Sequence, residues 1–142
     1  MNSIVRNLTF DRDAPSDAFR KAMRSLAGGV SVITVGRGKD ITGMTVTSVS
    51  SLSVEPPTLI VSVNRSSSSW QHLKRYRAFA INILSSSQRD VAERFSGLHG
   101  LKRAARFEGA HWTIGVTGAP MLINALASID CDVEEIIERH SH

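Results

Sequence analysis

Cysteine is almost absent from this sequence, which has one, Cys131, among 142 residues. A single cysteine cannot form an internal disulfide, so we expect a reducing, cytoplasmic location. No apolar run approaches the roughly 20 residues that a membrane-spanning helix needs. Residues 1–10 also lack the apolar segment and cleavage site of a secretory signal peptide. These absences favour a cytoplasmic protein that does not enter a membrane.

Familiar catalytic motifs are missing as well. The sequence contains no G-x-G-x-x-G, P-loop, G-x-S-x-G or H-E-x-x-H pattern, which are the usual marks of dinucleotide folds, NTPases, serine hydrolases and zinc proteases. The formal net charge is +4, and the basic residues are scattered except for Lys102, Arg103 and Arg106. Such a cluster can attract a phosphate-bearing ligand, but a solvated surface turn is the favoured interpretation. No nucleic-acid-binding motif is present, so we expect no nucleic-acid partner.

The chain is long enough for one domain with one hydrophobic core that needs neither a disulfide nor a metal. Hydrophobic residues make up 42% of it and charged residues 21%, which is typical of a globular protein. Residues 1–14 are polar and aperiodic and predict a flexible arm. The domain is therefore expected to span residues 15–142.

The most informative stretch is the hydroxyl-rich segment 43–64, GMTVTSVSSLSVEPPTLIVSVN. Its valine and threonine content favours an extended strand that carries short hydroxyl side chains. Pro56 and Pro57 interrupt the ladder because they donate no backbone hydrogen bond, and residues 58–63 follow as a second, apolar strand. Two such strands can hold a flat polar ligand by its edges. A hydroxyl-rich surface strand without a ligand is an equally good interpretation.

Four serines follow Arg65 and lead into Trp70, Leu73 and Tyr76, which have helical spacing. This pattern predicts a loop that feeds the amino end of a short helix. Free N–H groups, serine hydroxyls and the helix dipole favour an anion there, and Arg65 adds a positive charge. The alternative is that one serine caps the helix and the others are solvated. The position directly after segment 43–64 favours a phosphate.

The remaining pattern predicts a mainly β domain with peripheral helices. Strands are expected at residues 30–35, 41–48 and 78–84 and from residue 126, and helices after Ser16 and after Ser85, where Ser85 and Gln88 have capping-box spacing. Phe19, Met23 and Leu26 fall on one face of the first helix, and we expect that face to pack in the core. Cys131 alternates with apolar residues in the last strand, which makes it a core residue rather than a nucleophile.

The histidines indicate no metal site. His72, His99 and His111 lie among polar neighbours and are interpreted as surface or helix-capping residues. His140 and His142 would share a face of an extended chain. Two imidazoles without nearby acids or thiols make a poor metal site, so no metal is expected.

Together these motifs resemble the flavin reductase family, which has the FMN-binding split β-barrel fold. The resemblance runs from Phe19 to His142 and rests on ordered motifs: segment 43–64, SSSSW at 66–70, FAINIL at 79–84 with Gln88, Arg106–Phe107, Trp112, and ALASIDC at 125–131. The sequence is similar in particular to the reductases that serve 4-hydroxyphenylacetate monooxygenase and pyrimidine utilisation.

The resemblance implies a role for each residue that matches a family motif. Thr45, Val46, Thr47 and Ser48 would line the flavin ring and ribityl chain, Ser50 and Ser51 match the small hydroxyls after that strand, Ser62, Val63 and Asn64 would border the ring, and Ser67, Ser68, Ser69 and Trp70 would hold the phosphate end. His142 falls where the family has the histidine of a Gly-Asp-His turn near the nicotinamide. Here the turn reads His140-Ser141-His142 and lacks the aspartate.

The implied activity is hydride transfer from NADH or NADPH to bound FMN or FAD. The reduced flavin would pass to a partner monooxygenase, and the protein would form a homodimer. Two alternatives stay open: a non-enzymatic flavin- or haem-binding sensor or carrier, and an oxidoreductase that keeps its FMN tightly. Family members usually continue past the histidine into strands that complete the barrel. We therefore expect either a truncated chain or a barrel that closes in another way, for instance through a partner subunit.

Overall fold

The computed structural model describes residues 15–142, and the predicted arm at residues 1–14 lies outside them. The described residues contain helices α1 (Ser16–Met23), α2 (Ser68–Tyr76) and α3 (Arg89–Phe95), 3-10 segments at Ser86–Gln88 and Arg103–Phe107, and strands β1 (Ser31–Arg37), β2 (Asp40–Val46), β3 (Val49–Ser53), β4 (Thr58–Val61), β5 (Ala78–Ile83), β6 (Trp112–Ile114), β7 (Pro120–Leu122) and β8 (Ala127–Asp132). The prediction of a mainly β chain with peripheral helices is confirmed. The predicted capping box is also present, since the Ser85 N–H donates to Gln88 Oε1 at 3.0 Å.

Four strands form one antiparallel sheet in the order β2-β1-β5-β8. Residues 31–36 of β1 are all buried, which suits a strand with neighbours on both edges. β1 and β2 form a hairpin in which Arg37 pairs with Asp40, and residues 38–39 form the turn between them. β3 pairs with β4, and β6 with β7, in two separate two-stranded sheets. Within the described residues these strands do not close into a barrel.

Apolar side chains cover both faces of the four-stranded sheet because successive residues of a strand point to opposite faces. One buried cluster comprises Ile33, Val35, Val46, Val63, Trp70, Leu73, Phe79 and Ile81, and the other comprises Val32, Leu84, Val91, Phe95, Phe107 and Leu122. In the second cluster the Phe107 ring centroid lies 4.9 Å from that of Phe95 and 4.8 Å from that of Trp112, both edge to face. This aromatic group holds α3 and the 103–107 segment against the sheet.

Asn82, in the middle of β5, is fully buried. Its amide nitrogen donates to the Val32 carbonyl at 3.1 Å, and its amide oxygen accepts the Leu122 N–H at 2.7 Å and the Ser128 hydroxyl at 3.0 Å. A buried amide costs free energy unless its hydrogen bonds are made. These bonds therefore fix the positions of β7 and β8 on the sheet.

The predicted packing of the first helix in the core is wrong. Phe19 and Met23 are 52% and 45% exposed, Leu26 is 70% exposed, and α1 has no buried residue. The helical spacing of these residues did indicate an amphipathic helix. Spacing alone does not identify the surface that covers an apolar face, and no part of the described chain covers this one.

Cys131 lies in β8 opposite Phe79, and its side chain packs against the first cluster. Burial, helped by the charges of Asp130 and Asp132, raises the pKa of its thiol to about 11. The nucleophilic thiolate is therefore scarce at neutral pH. The prediction of a packing role for Cys131 is confirmed.

Candidate functional site

Gly43 is the point at which β2 meets α3 and the 103–107 segment. A Cβ atom added to Gly43 would lie 2.8 Å from Cε1 of Phe95, which is closer than carbon atoms approach without a shift. The guanidinium of Arg106 donates a hydrogen bond to the Gly43 carbonyl. The missing side chain thus allows both later segments to pack directly on the strand.

A cavity of about 470 Å³ opens beside this contact. It is lined by Met44, Thr45, Ser66, Ser67, Ser68, Phe95, Ser96, Lys102, Arg103 and Arg106. We call residues 66–68 the serine wall, and Lys102, Arg103 and Arg106 the basic wall. The volume lies in the range of small-molecule sites, and its lining combines hydroxyl groups with positive charge.

The expectation of a solvated surface turn holds for Lys102 and Arg103, which are exposed, and is wrong for Arg106. Arg106 is fixed by hydrogen bonds to Gly43 and to the Leu101 carbonyl, the latter at 2.8 Å, and burial lowers the pKa of its guanidinium. Lys102 and Arg103 are exposed, and neither has an ion-pair partner in the described part of the chain. Their charges are available to a ligand in the cavity.

The serine wall precedes and begins α2. Asn64 shapes it, because its Oδ1 accepts the Ser66 N–H at 2.9 Å and the Ser66 hydroxyl at 2.8 Å. Ser67 occupies the position before the helix but makes no side-chain capping bond. Its buried Oγ has no hydrogen-bond partner among the described residues, and neither has the Oγ of Ser69. The first N–H groups of a helix also lack partners within it, so this wall holds donors that the described residues leave unused.

The other residues that the resemblance assigned to the flavin are spread over a wider surface. Thr45 lines the cavity, and its hydroxyl donates to the Ala92 carbonyl at 2.6 Å. Four of the residues are buried and do not line the cavity: Val46, Val63, Ser69 and Trp70. Six more are exposed and lie outside the cavity lining: Thr47, Ser48, Ser50, Ser51, Ser62 and Asn64. Of the thirteen assigned residues, the structure therefore brings Thr45, Ser67 and Ser68 together in the cavity.

Arg65 joins the serine wall to the terminal turn that contains His142. Its backbone N–H donates to the Ser141 carbonyl at 2.9 Å, and its guanidinium lies 2.9 Å from a Glu138 carboxylate oxygen and 3.1 Å from the His140 carbonyl. The charge of Arg65, predicted to act at the anion site, is thus paired with Glu138. His142 is exposed beside this turn, with Nδ1 2.8 Å from the Ser141 hydroxyl, and does not line the cavity.

His72 is buried, which corrects its interpretation as a surface or capping residue. It is 9% exposed; Nε2 lies 2.8 Å from Asp40 Oδ1 and Nδ1 lies 3.3 Å from the Ser68 carbonyl oxygen. Tyr76 donates to Asp40 Oδ2 at 2.6 Å. Hydrogen bonds from Tyr76 and then His72 lower the pKa of Asp40. No local pattern indicates this cluster, because Asp40 lies in a hairpin 32 residues away from His72.

The structure also bears on metals and membranes. Residues 15–142 contain no group of three or more His, Cys, Asp or Glu side chains placed to hold a metal ion. No helix in the same range is long and apolar enough to cross a bilayer.

Comparisons with known proteins show the family of the chain. The profile of the flavin reductase-like domain matches residues 23–142. The FMN reductase (NADH) RutF of Pseudomonas syringae pv. syringae (strain B728a) is 37% identical over 125 residues, which cover 88% of this chain and 69% of that protein.

Two solved structures have a similar fold. BorF, the flavin reductase component of a bacterial two-component tryptophan halogenase, superposes with a TM-score of 0.81 at 29% identity, over 90% of this chain and 80% of that one. The NADH:FAD oxidoreductase SgcE6 of Streptomyces globisporus C-1027, in complex with NAD and FAD fragments, has a TM-score of 0.80 at 28% identity, over 89% of this chain and 74% of that one.

Proposed function

The chain belongs to the flavin reductase-like domain family, and from this premise we propose that it is an enzyme that transfers a hydride from NADH to FMN. The observation that carries the proposal is the cavity between the serine wall and the basic wall. It combines unused hydroxyl and N–H donors with two unpaired cations. Those are the groups that bind a phosphate monoester.

The phosphate end of FMN fits this cavity. The Ser67 Oγ is buried without a partner, and a phosphate oxygen would supply one. Ser68 begins α2, whose positive dipole end favours an anion. Lys102 and Arg103 line the same cavity. We assign Ser67 and Ser68 to the phosphate, with Ser69 and Trp70 as the buried support of that turn.

The ring end would extend from the cavity along β2. Thr45 lines the cavity, and we propose that the next residues, Val46, Thr47 and Ser48, contact the edge of the isoalloxazine ring. Ser50 and Ser51 would lie beyond them. Ser62, Val63 and Asn64 would border the ring from the neighbouring strand. Bound flavin supplies the hydride-accepting centre. The protein has to orient the ring and donate hydrogen bonds to it, for which backbone N–H groups of this segment are suited.

We propose that His142 contributes to the nicotinamide side of the site. Its turn is held against the serine wall by Arg65 and Glu138, so a group bound near His142 would lie next to the flavin site. The missing aspartate of the family turn leaves His142 with Ser141 as its hydrogen-bond neighbour. His142→Ala is expected to raise the KM for NADH more than the KM for FMN.

The assembly is also a proposal. We infer that residues 15–142 act as one domain, that the strands complete a split β-barrel, and that two chains pair as a homodimer in the cytoplasm. The exposed apolar face of α1, with Phe19 and Met23, supports pairing, and so does β8, which is an edge strand in the described chain. Since BorF is a component of a two-component halogenase, the reduced flavin of this protein is proposed to pass to a partner flavin-dependent monooxygenase.

The first experiment mixes the purified protein with NADH and FMN in air and follows the nicotinamide absorbance band. We expect oxidation that depends on added flavin; repeats with FAD and NADPH give the preferences. No oxidation with any pair would refute the proposal, whereas flavin binding without turnover would indicate a carrier. A yellow protein that keeps its FMN through dialysis would indicate a tightly bound cofactor.

A variant lacking both exposed cations, Lys102→Ala with Arg103→Ala, tests the site itself. Because the two solvent-screened cations would attract the phosphate, removing both should raise the KM for FMN about tenfold, and by less at high salt. The control is Lys21→Ala with Lys39→Ala, which removes two exposed cations that do not line the cavity. If the two double variants had the same KM for FMN, the phosphate would bind elsewhere.

A further inference from the structure

His72 is a buried polar residue to which the proposed chemistry gives no role. It lies on α2, one turn after Ser68, and both of its ring nitrogens are near oxygen atoms: Nε2 is 2.8 Å from Asp40 Oδ1 and Nδ1 is 3.3 Å from the Ser68 carbonyl. The imidazole ring therefore lies between the first turn of α2 and the Asp40 carboxylate of β2.

Other charged and polar groups around this pair complete the cluster. Asp40 Oδ2 accepts the Tyr76 hydroxyl at 2.6 Å and Arg75 Nη1 at 3.3 Å, and Arg37 of β1 lies 5.9 Å from the centre of the Tyr76 ring. Asp40 is thus held by several donors at once. Because several donors hold the carboxylate, it remains an anchor for His72 when one of the other donors is removed.

β2 is the common base of the two walls of the cavity. The serine wall is tied to it through His72 and Asp40, and again through the Ser68 hydroxyl, 3.3 Å from the Thr42 hydroxyl. The basic wall is tied to it through the hydrogen bond from Arg106 to the Gly43 carbonyl. The distance between the walls therefore depends on how the first turn of α2 is held to β2.

We propose that His72 is a positioning residue for flavin binding, which links the Ser68 turn to Asp40 and sets the serine wall at the distance from the basic wall that a phosphate requires. This inference rests on the proposed function, since it concerns the affinity of the same cavity. His72 would act through Ser68 and would not itself touch the flavin. Its effect should therefore be confined to ligands that carry a phosphate.

Two substitutions separate the contacts of the imidazole. His72→Asn keeps an amide near the position of Nδ1 and loses the contact with Asp40, whereas His72→Gln can reach Asp40 and loses the contact with Ser68. Because the contact with Asp40 is the one that leaves α2, His72→Asn should bind FMN at least about tenfold more weakly, as expected for the loss of one hydrogen bond to a charged group. His72→Gln keeps that contact and should bind FMN within about twofold of the unaltered protein. Riboflavin, which has no phosphate, should bind as it does to the unaltered protein.

Tyr76→Phe is the matched control. It removes a hydrogen bond to the same carboxylate but leaves the contacts of His72 and Ser68 in place, so FMN affinity should change less than twofold. Affinities are measured by quenching of flavin fluorescence, and thermal unfolding checks that each variant folds. Should both His72 variants fail to fold, Asp40→Asn, at a partly exposed side chain, carries the expectation given for His72→Asn.

Two results would overturn the proposal: unchanged FMN affinity in His72→Asn, or an equal loss for FMN and riboflavin, which is the mark of general destabilisation. The proposed function fails separately, if the unaltered protein does not oxidise NADH in the presence of flavin. The comparison of FMN with riboflavin remains decisive in that case because it measures binding. Failure of the unaltered protein to bind FMN would overturn both.

Discussion

Replacing Ser67 by alanine should move stability and flavin affinity in opposite directions. The Ser67 Oγ is buried and unpaired, and a buried unpaired polar group costs about 1–3 kcal/mol. The usual loss on removing a helix-capping serine should not arise, because this side chain makes no capping bond. Without flavin, Ser67→Ala should therefore be more stable than the unaltered protein by roughly 1–2 kcal/mol, the lower part of that range.

Flavin binding should show the reverse effect. A phosphate oxygen in the cavity would accept the Ser67 hydroxyl, and a typical hydrogen bond of about 1 kcal/mol corresponds to about fivefold in affinity. Urea unfolding without ligand and fluorescence titration with FMN measure the two quantities. Ser66→Ala is the control: its hydroxyl already bonds Asn64 at 2.8 Å, so it should lose stability. A Ser67→Ala protein that is less stable and binds FMN normally would refute the assignment of this hydroxyl.

Three further predictions concern the scaffold of the site. Gly43→Ala should lower the free energy of unfolding by about 1–3 kcal/mol, because its Cβ would meet the Ile33 carbonyl oxygen and the Phe95 ring; Gly29→Ala, with no atom within 4 Å of the added Cβ, should be close to neutral in the same urea titration. Asn82→Leu leaves the Leu122 N–H unpaired and should cost about 2–5 kcal/mol in thermal unfolding. The pKa of Asp40 is lowered from 3.8 in the folded protein. Its contribution to stability is therefore fully present above pH 3.8 and is lost as the pH falls through the lower pKa of the folded state. The stability difference between the unaltered protein and Asp40→Asn should accordingly be full at neutral pH and shrink in acid.

Local patterns predicted the strands well because alternation and β-branched content are properties of neighbouring residues. The strand expected at residues 30–35 is β1, at Ser31–Arg37, and the one expected at 78–84 is β5, at Ala78–Ile83. The serine wall could be predicted for the same reason, since a serine run before a helix is a local signal. The prediction that α1 packs in the core was wrong, because the surface that would cover its apolar face cannot be read from neighbouring residues.

The basic wall could not be predicted because it depends on distant packing. Residues 102–106 reach the serine wall only because α3 and the Phe95–Phe107 contact carry them onto β2 at Gly43. The glycine at the head of the hydroxyl-rich segment was visible in the sequence, but nothing local showed what approaches it. His72 was missed in the same way, since its partner lies in the β1–β2 hairpin.

The uneven placement of the proposed flavin residues has a functional consequence. The phosphate end would lie in a cavity with two walls of donors, whereas Thr47, Ser48, Ser50 and Ser51 are exposed. Most of the affinity should then come from the phosphate, and the ring would stay open to solvent on one side. An open ring can accept a nicotinamide against its face, and a ligand held mainly at one end can leave once reduced. A reductase that delivers its flavin to another enzyme needs both properties.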